Sequence, residues 1–125
     1  MISIDYQSRI PIYEQIVERF QTLILKGVLE PDSQMPSVRS LAVKLSINPN
    51  TIQKAYTLLE QQGYIYPVKG RGNFISDTSL LLGQKKQQYL STLEQAMLSA
   101  KEFGITVADC LALIQKIYGK EVQHD

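Results

Sequence analysis

The middle of the chain concentrates the side-chain types that contact nucleic acid. Asparagine and glutamine can donate a hydrogen bond to adenine and accept one from it, whereas lysine and arginine bind phosphate. Between positions 33 and 76 the chain has five basic residues and one acidic residue, although its formal net charge is only +1. The candidate contact residues for double-stranded DNA are Ser37, Arg39, Lys44, Asn48, Pro49, Asn50, Thr51, Gln53, Lys54, Lys69, Arg71 and Gly72.

Different roles are expected within this set. Asn50, Thr51 and Gln53 stand together near the start of a predicted helix, where short polar side chains can reach base edges in the major groove. Lys54 and Lys44 are expected to contact phosphates and so to position the domain without reading sequence. For Lys44 a solvated surface position is an equal alternative.

The remaining reactive residues do not form a catalytic or metal-binding set. Cys110 and His124 are the only cysteine and histidine of the chain, and no pair of carboxylates falls within the central region. The chain therefore lacks the residue sets that nucleophilic and metal-assisted mechanisms need, and we expect neither an enzyme nor a metal or cofactor site. No apolar run approaches the roughly 20 residues of a membrane span, and the first residues do not form a secretion signal, so a cytoplasmic location is expected.

Hydrophobic periodicity predicts the elements that position the candidate residues. A first helix ends at Lys26-Gly27, and an irregular connector from 28 to 36 follows, with Leu29 and Met35 turned inward. Apolar residues at spacings of three and four mark the first helix: Ile12, Ile16, Phe20, Leu23 and Ile24.

Two short helices then follow in the order of a helix-turn-helix. Ser37 can cap the first, and Asn48 caps the second, with Pro49 at its first helical position as a packing residue. Both caps can also touch phosphate, because a helix start presents free amides and a partial positive charge. Next come two short β-prone runs around the turn 69–72, in which Gly70 and Gly72 permit close approach to a groove. This hairpin forms a wing with Lys69 and Arg71 at its tip.

The character of the chain changes after position 76. Two further amphipathic helices are predicted, the first ending at Gly104 and the second opened by a capping box of Thr106 and Asp109. Two helices of this size cannot bury their own apolar stripes, so self-association is expected. We therefore predict a mainly α fold with a small β-hairpin, comprising a winged helix-turn-helix domain at 1–76 and a two-helix dimerisation region at 77–125.

Four motifs in this order resemble the GntR family of bacterial transcriptional regulators. They are Pro36-Ser37-Val38-Arg39-Ser40-Leu41-Ala42, Asn48-Pro49-Asn50-Thr51-Ile52-Gln53-Lys54-Ala55-Tyr56, Leu59-Glu60-Gln61-Gln62-Gly63-Tyr64-Ile65 and Gly70-Arg71-Gly72-Asn73-Phe74-Ile75. The resemblance implies that Arg39 contacts DNA. The short region after the wing is similar to that of the YtrA-type subfamily, whose members commonly stand beside genes for ABC transporters.

The sequence and the resemblance together predict a homodimeric regulator. We expect it to bind a palindromic operator, to repress by occlusion, and to control an ABC-transporter operon in response to an unknown effector. Two alternatives stay open: a winged-helix module that binds protein and not DNA, and a metabolite sensor with a pocket at the dimer interface. Specific binding to the DNA upstream of its own gene distinguishes the first alternative, and calorimetry with candidate ligands the second.

Overall fold

A computed structural model describes residues 2–119, which form five helices and one β-hairpin. The helices are α1 (Ile12–Leu25), α2 (Val38–Leu45), α3 (Pro49–Gln61), α4 (Ser79–Glu102) and α5 (Val107–Tyr118), and the strands are β1 (Ile65–Val68) and β2 (Gly72–Ile75). The chain divides into two compact units between Gly83 and Gln84. His124, for which no catalytic role is expected, lies outside the described residues.

The first unit is built around one apolar core. Helices α1, α2 and α3 and both strands contribute side chains to it, and the rings of Phe20 and Tyr56 meet edge to face, with centroids 5.9 Å apart. Met35 is 3% exposed and Leu29 packs against the same core, as the sequence predicted for the connector. The predicted mainly α fold with a winged helix-turn-helix is confirmed.

The connector before α2 has more order than its composition predicts. Gln34 forms an antiparallel bridge with Phe74, and the amide of Met35 donates to the carbonyl of Asn73 at 2.8 Å. The amide of Ile75 likewise donates to the carbonyl of Ser33 at 2.9 Å. The connector therefore lies beside β2, while β1 pairs with the other edge of β2 in the register Ile65↔Ile75 to Val68↔Gly72.

The N-terminal residues also join this unit. Ile2 and Ile4 pack against the core, and the hydroxyl of Tyr6 donates to the carbonyl of Leu45 at 3.0 Å, at the end of α2. Pro11 stands one position before α1, where it occupies the N-cap position.

The second unit contains most of α4 together with α5. Thr106 and Asp109 form the predicted capping box, because each side chain accepts a hydrogen bond from the other residue's backbone amide. Neither α4 nor α5 contains a buried residue, and Phe103 is 85% exposed. Among the helices at positions 2–119, none combines the length and apolarity needed to cross a bilayer.

Candidate nucleic-acid interface

Helix α3 has one buried face and one polar face. The buried residues Ile52, Ala55, Tyr56 and Leu59 attach it to the core. The exposed side chains Asn50, Gln53, Lys54 and Thr57 recur at intervals of three and four, so they share the opposite face. Thr51 is half-buried beside them. The helix therefore presents a continuous row of hydrogen-bonding groups to solvent.

The start of α3 does not offer the free amides that are expected at a helix N-terminus. Pro49 has no N–H, and the amide of Asn50 donates to Oδ1 of Asn48 at 2.9 Å. The amide of Thr51 donates to the carbonyl of Asn48 at 2.9 Å. The expectation was wrong for this helix because the capping residue itself accepts the hydrogen bonds of the first amides. What α3 presents at its start is therefore side chains.

Helix α2 has a different N-terminus. Ser37 caps it by accepting from the amide of Ser40 at 3.0 Å. Val38 and Arg39 follow, and neither amide donates a hydrogen bond to another residue within 2–119, so this helix keeps its first two donors. The side chains of Arg39 and Lys44 are both exposed. The arrangement can hold an anion with a guanidinium beside two free amides.

A buried hydrogen bond fixes α3 relative to the start of α2. The hydroxyl of Tyr56, a residue only 1% exposed, donates to the carbonyl of Pro36 at 2.7 Å. Burial raises the pKa of this phenol well above its ordinary range, so the hydroxyl stays a donor. Between the two helices Ser46 adopts a left-handed conformation with φ of 55°, and this residue makes the turn.

Lys54 lies against an aromatic ring of α1. Its Nζ stands 3.9 Å from the ring centroid of Tyr13, a distance typical of a cation–π contact. The hydroxyl of Tyr13 in turn donates to Glu14 at 3.2 Å, and this hydrogen bond raises the pKa of the phenol. Tyr13 thus holds the Lys54 ammonium in place, while the Lys54 side chain stays exposed to solvent.

The wing places its two cations at the tip of the hairpin. Lys69 and Arg71 are exposed, on either side of Gly70, whose φ is +76°. Gly72 has φ of +110°, and a Cβ atom there would lie 3.2 Å from Nε2 of Gln34. The positive φ at position 72 favours glycine, and a Cβ atom there would also crowd the end of the Gln34 side chain.

The structure assigns all twelve sequence-predicted residues to three elements. Eleven are exposed and Thr51 is half-buried, and they lie on α2 and α3 with the N-caps of these helices, and at the wing. Sequence reasoning missed Thr57, which accepts a hydrogen bond from Gln53 at 3.3 Å and which the helical period could have found. It also missed Tyr13 and Gln34, whose contacts join residues about 40 positions apart and leave no local signal.

Known proteins with the same helix-turn-helix and wing are similar to this chain in sequence. The family of bacterial regulatory proteins named gntR matches residues 12–75. The chain belongs to the GntR family. It is 40% identical over 94% of its length to the HTH-type transcriptional repressor YtrA of Bacillus subtilis (strain 168), of which 92% is covered, and this likeness supports the YtrA-type subfamily.

Solved structures show the same fold. A transcriptional regulator from Oenococcus oeni is 30% identical, with a TM-score of 0.77 over 95% of this GntR-family chain and 100% of that one. The AraR(DBD) in complex with operator ORX1 is 29% identical, with a TM-score of 0.55 over 60% of this chain and 96% of that one. The proteins that resemble this chain in sequence and in fold thus include transcriptional regulators.

Proposed function

We propose that this protein binds double-stranded DNA in a sequence-specific manner through α3, the start of α2 and the wing. The observation that carries the proposal is the polar face of α3, which is continuous while the opposite face is buried in the core. The operator complex of the related AraR domain supports the same use of this fold.

Base reading is assigned to the exposed polar residues of α3. Asn50 and Gln53 can each form a bidentate pair with adenine, and the Thr51 methyl group can contact thymine. Gln53 is already oriented by its bond to Thr57, which limits the rotamers that it must give up on binding. Arg39 approaches from the second position of α2, so that recognition is shared between two helices.

Phosphate contacts are assigned to the lysines and to the caps. Lys44 lies in the last turn of α2 and Lys54 lies on the polar face of α3, while Ser37 and Asn48 cap the two helices and Pro49 is a packing residue at the start of α3. These contacts fix the register of the domain on the duplex and carry no sequence information of their own. Lys69 and Arg71 reach an adjacent groove from the wing, where Gly72 permits close backbone approach.

We further propose that the protein acts as a homodimer through α4 and α5. Both helices expose a row of large apolar side chains, Leu90, Leu93, Met97, Leu98, Leu111, Ile114 and Ile117 among them. Several of these line a groove of about 560 Å³ between the two helices. A surface of this kind is costly to leave in water, and a second copy can cover it isologously.

A two-fold dimer binds two half-sites related by the same symmetry, so the operator is palindromic. Occupancy of such a site represses by excluding polymerase, in line with the repressor relatives of this chain. Control of an ABC-transporter operon is the regulatory role that we assign on the YtrA-type likeness. The effector is unknown; if the second copy leaves part of the groove open, this groove is where a metabolite would bind.

The experiment is an electrophoretic shift with the DNA upstream of the protein's own gene and a scrambled duplex of equal length. Specific binding of the first duplex is expected, and Asn50→Ala with Gln53→Ala should remove the preference while retaining weak binding to both. A matched control is Gln61→Ala, which changes the same helix outside the polar face. Equal affinity of the unaltered protein for both duplexes would refute sequence-specific binding and favour a module that binds protein.

A further inference from the structure

The wing is too small to hold its own shape. Its strands have four residues each, and an isolated two-stranded hairpin of this length is at most marginally stable in water. The arginine at its tip can bind DNA strongly only if the tip is already ordered, because ordering on binding subtracts from affinity. Something outside the hairpin must therefore stabilise the tip.

The connector before α2 supplies that support along the free edge of β2. Gln34 stands opposite Phe74 in an antiparallel bridge, flanked by the bonds of Ser33 and Met35 to the same strand. From this position the side-chain amide of Gln34 reaches along the hairpin, and its Nε2 donates to the carbonyl of Arg71 at 2.7 Å. Only this side chain of the connector bonds the backbone of the tip, within residues 2–119.

A second line of contacts begins two residues earlier. Oδ1 of Asp32 accepts a hydrogen bond from the hydroxyl of Tyr66 at 2.7 Å, and the Tyr66 ring stacks on Phe74 with centroids 6.0 Å apart. The guanidinium carbon of Arg71 lies 5.9 Å from the centroid of that same Phe74 ring. The connector therefore holds the backbone of Arg71 through Gln34 and supports its side chain through the aromatic pair.

We propose that Gln34 is a positioning residue that presents Arg71 to DNA, an inference that rests on the proposed DNA-binding function. Gln34 itself carries no charge and needs no contact with the duplex. Its amide fixes the carbonyl of Arg71, and Gly72 leaves room for this amide, because a Cβ atom at position 72 would lie 3.2 Å from Nε2. Loss of the amide frees the tip, and the guanidinium then spends part of its time away from the groove.

The test is a double-mutant cycle with Gln34→Met and Arg71→Ala, on a duplex selected in vitro with the unaltered protein. Methionine keeps the length and the zero charge of glutamine but cannot donate to the carbonyl. We expect Gln34→Met to weaken binding roughly three- to tenfold where Arg71 is present, in line with one lost hydrogen bond, and to have no effect in Arg71→Ala. Gln61→Met, at the end of α3, is the control and should leave affinity unchanged.

A second readout needs no DNA. Backbone NMR order parameters at Gly70, Arg71 and Gly72 should fall in Gln34→Met while those of α3 stay constant. Additive effects in the cycle, an unchanged affinity, or unchanged order parameters would each overturn the positioning role. If Arg71→Ala binds like the unaltered protein, this inference fails while DNA binding stands; if the unaltered protein itself selects no duplex, the proposed function fails.

Discussion

The bond between Tyr56 and Pro36 allows a quantitative prediction about the helix-turn-helix. Tyr56→Phe removes a hydroxyl that donates at 2.7 Å and leaves the Pro36 carbonyl without this partner. A lost hydrogen bond costs about 0.5–1.5 kcal/mol, and an unsatisfied buried carbonyl adds to it. Since Pro36 is half-buried and water can replace part of the bond, we expect a loss of about 1–2 kcal/mol in the free energy of unfolding.

For a unit of this size, such a loss lowers Tm by about 5–12 °C. The assay is thermal unfolding followed by near-ultraviolet circular dichroism, with Tyr64→Phe as the matched control. Tyr64 is 5% exposed, but its hydroxyl makes no hydrogen bond to another residue within 2–119, so its removal should change Tm little. Equal Tm values for the two variants would refute the reasoning.

The same group has a pH signature. Burial raises the pKa of Tyr56, so its contribution to stability is complete below the ordinary value of 10.0 and is lost as the pH rises above it. The decline in the free energy of unfolding above pH 10.0 should therefore be shallower in Tyr56→Phe than in the unaltered protein. An equal slope in the two proteins would contradict the assignment.

Three further predictions concern the other elements. Arg39→Ala should cost about 1–3 kcal/mol on the preferred DNA sequence and less on others, measured by fluorescence anisotropy; an equal loss on every sequence would make Arg39 a phosphate contact. Hydrogen bonds from Thr106 lower the pKa of Asp109, so the capping box stabilises α5 fully above pH 3.8, the ordinary pKa of this carboxyl, and loses its effect as the pH falls through the lowered pKa. The difference in helical circular dichroism between the unaltered protein and Asp109→Asn should shrink over that pH range. A constant difference would contradict the prediction. Met97→Lys changes a groove-lining side chain that is 51% exposed, and each protomer of a dimer would lose one apolar contact. It should therefore raise the dimer dissociation constant by about 100-fold or more in sedimentation. The control is Gln88→Lys, on the opposite side of the same helix, and an unchanged constant for Met97→Lys would place the interface elsewhere.

Local chemistry explains which elements the sequence could predict. The starts of α2, α3 and α5 follow from Ser37, Asn48-Pro49 and Thr106, because a cap and its amide lie within three residues of each other. The buried stripes follow from the helical period in the same way. The exposed polar face of α3 could therefore be predicted almost completely.

The supports of the candidate site could not be predicted in this way. Gln34 meets Arg71 across 37 positions, and Lys54 meets Tyr13 across 41 positions, so no local pattern records either contact. The amides at the start of α3 were wrongly expected to be free because the cap that identifies the helix also occupies them. The sequence thus predicted which side chains face solvent, while tertiary packing decides how each is held.

The most direct test of DNA recognition is the affinity of the full chain for its selected operator, measured against salt concentration beside a scrambled duplex. The proposed interface brings Arg39, Lys44, Lys54, Lys69 and Arg71 toward phosphates and bases. The logarithm of affinity should then fall linearly with the logarithm of salt, by about 0.9 for each phosphate neutralised. The operator should remain tighter by roughly a thousandfold or more at physiological salt. A binding curve independent of salt, or one that is the same for both duplexes, would contradict it.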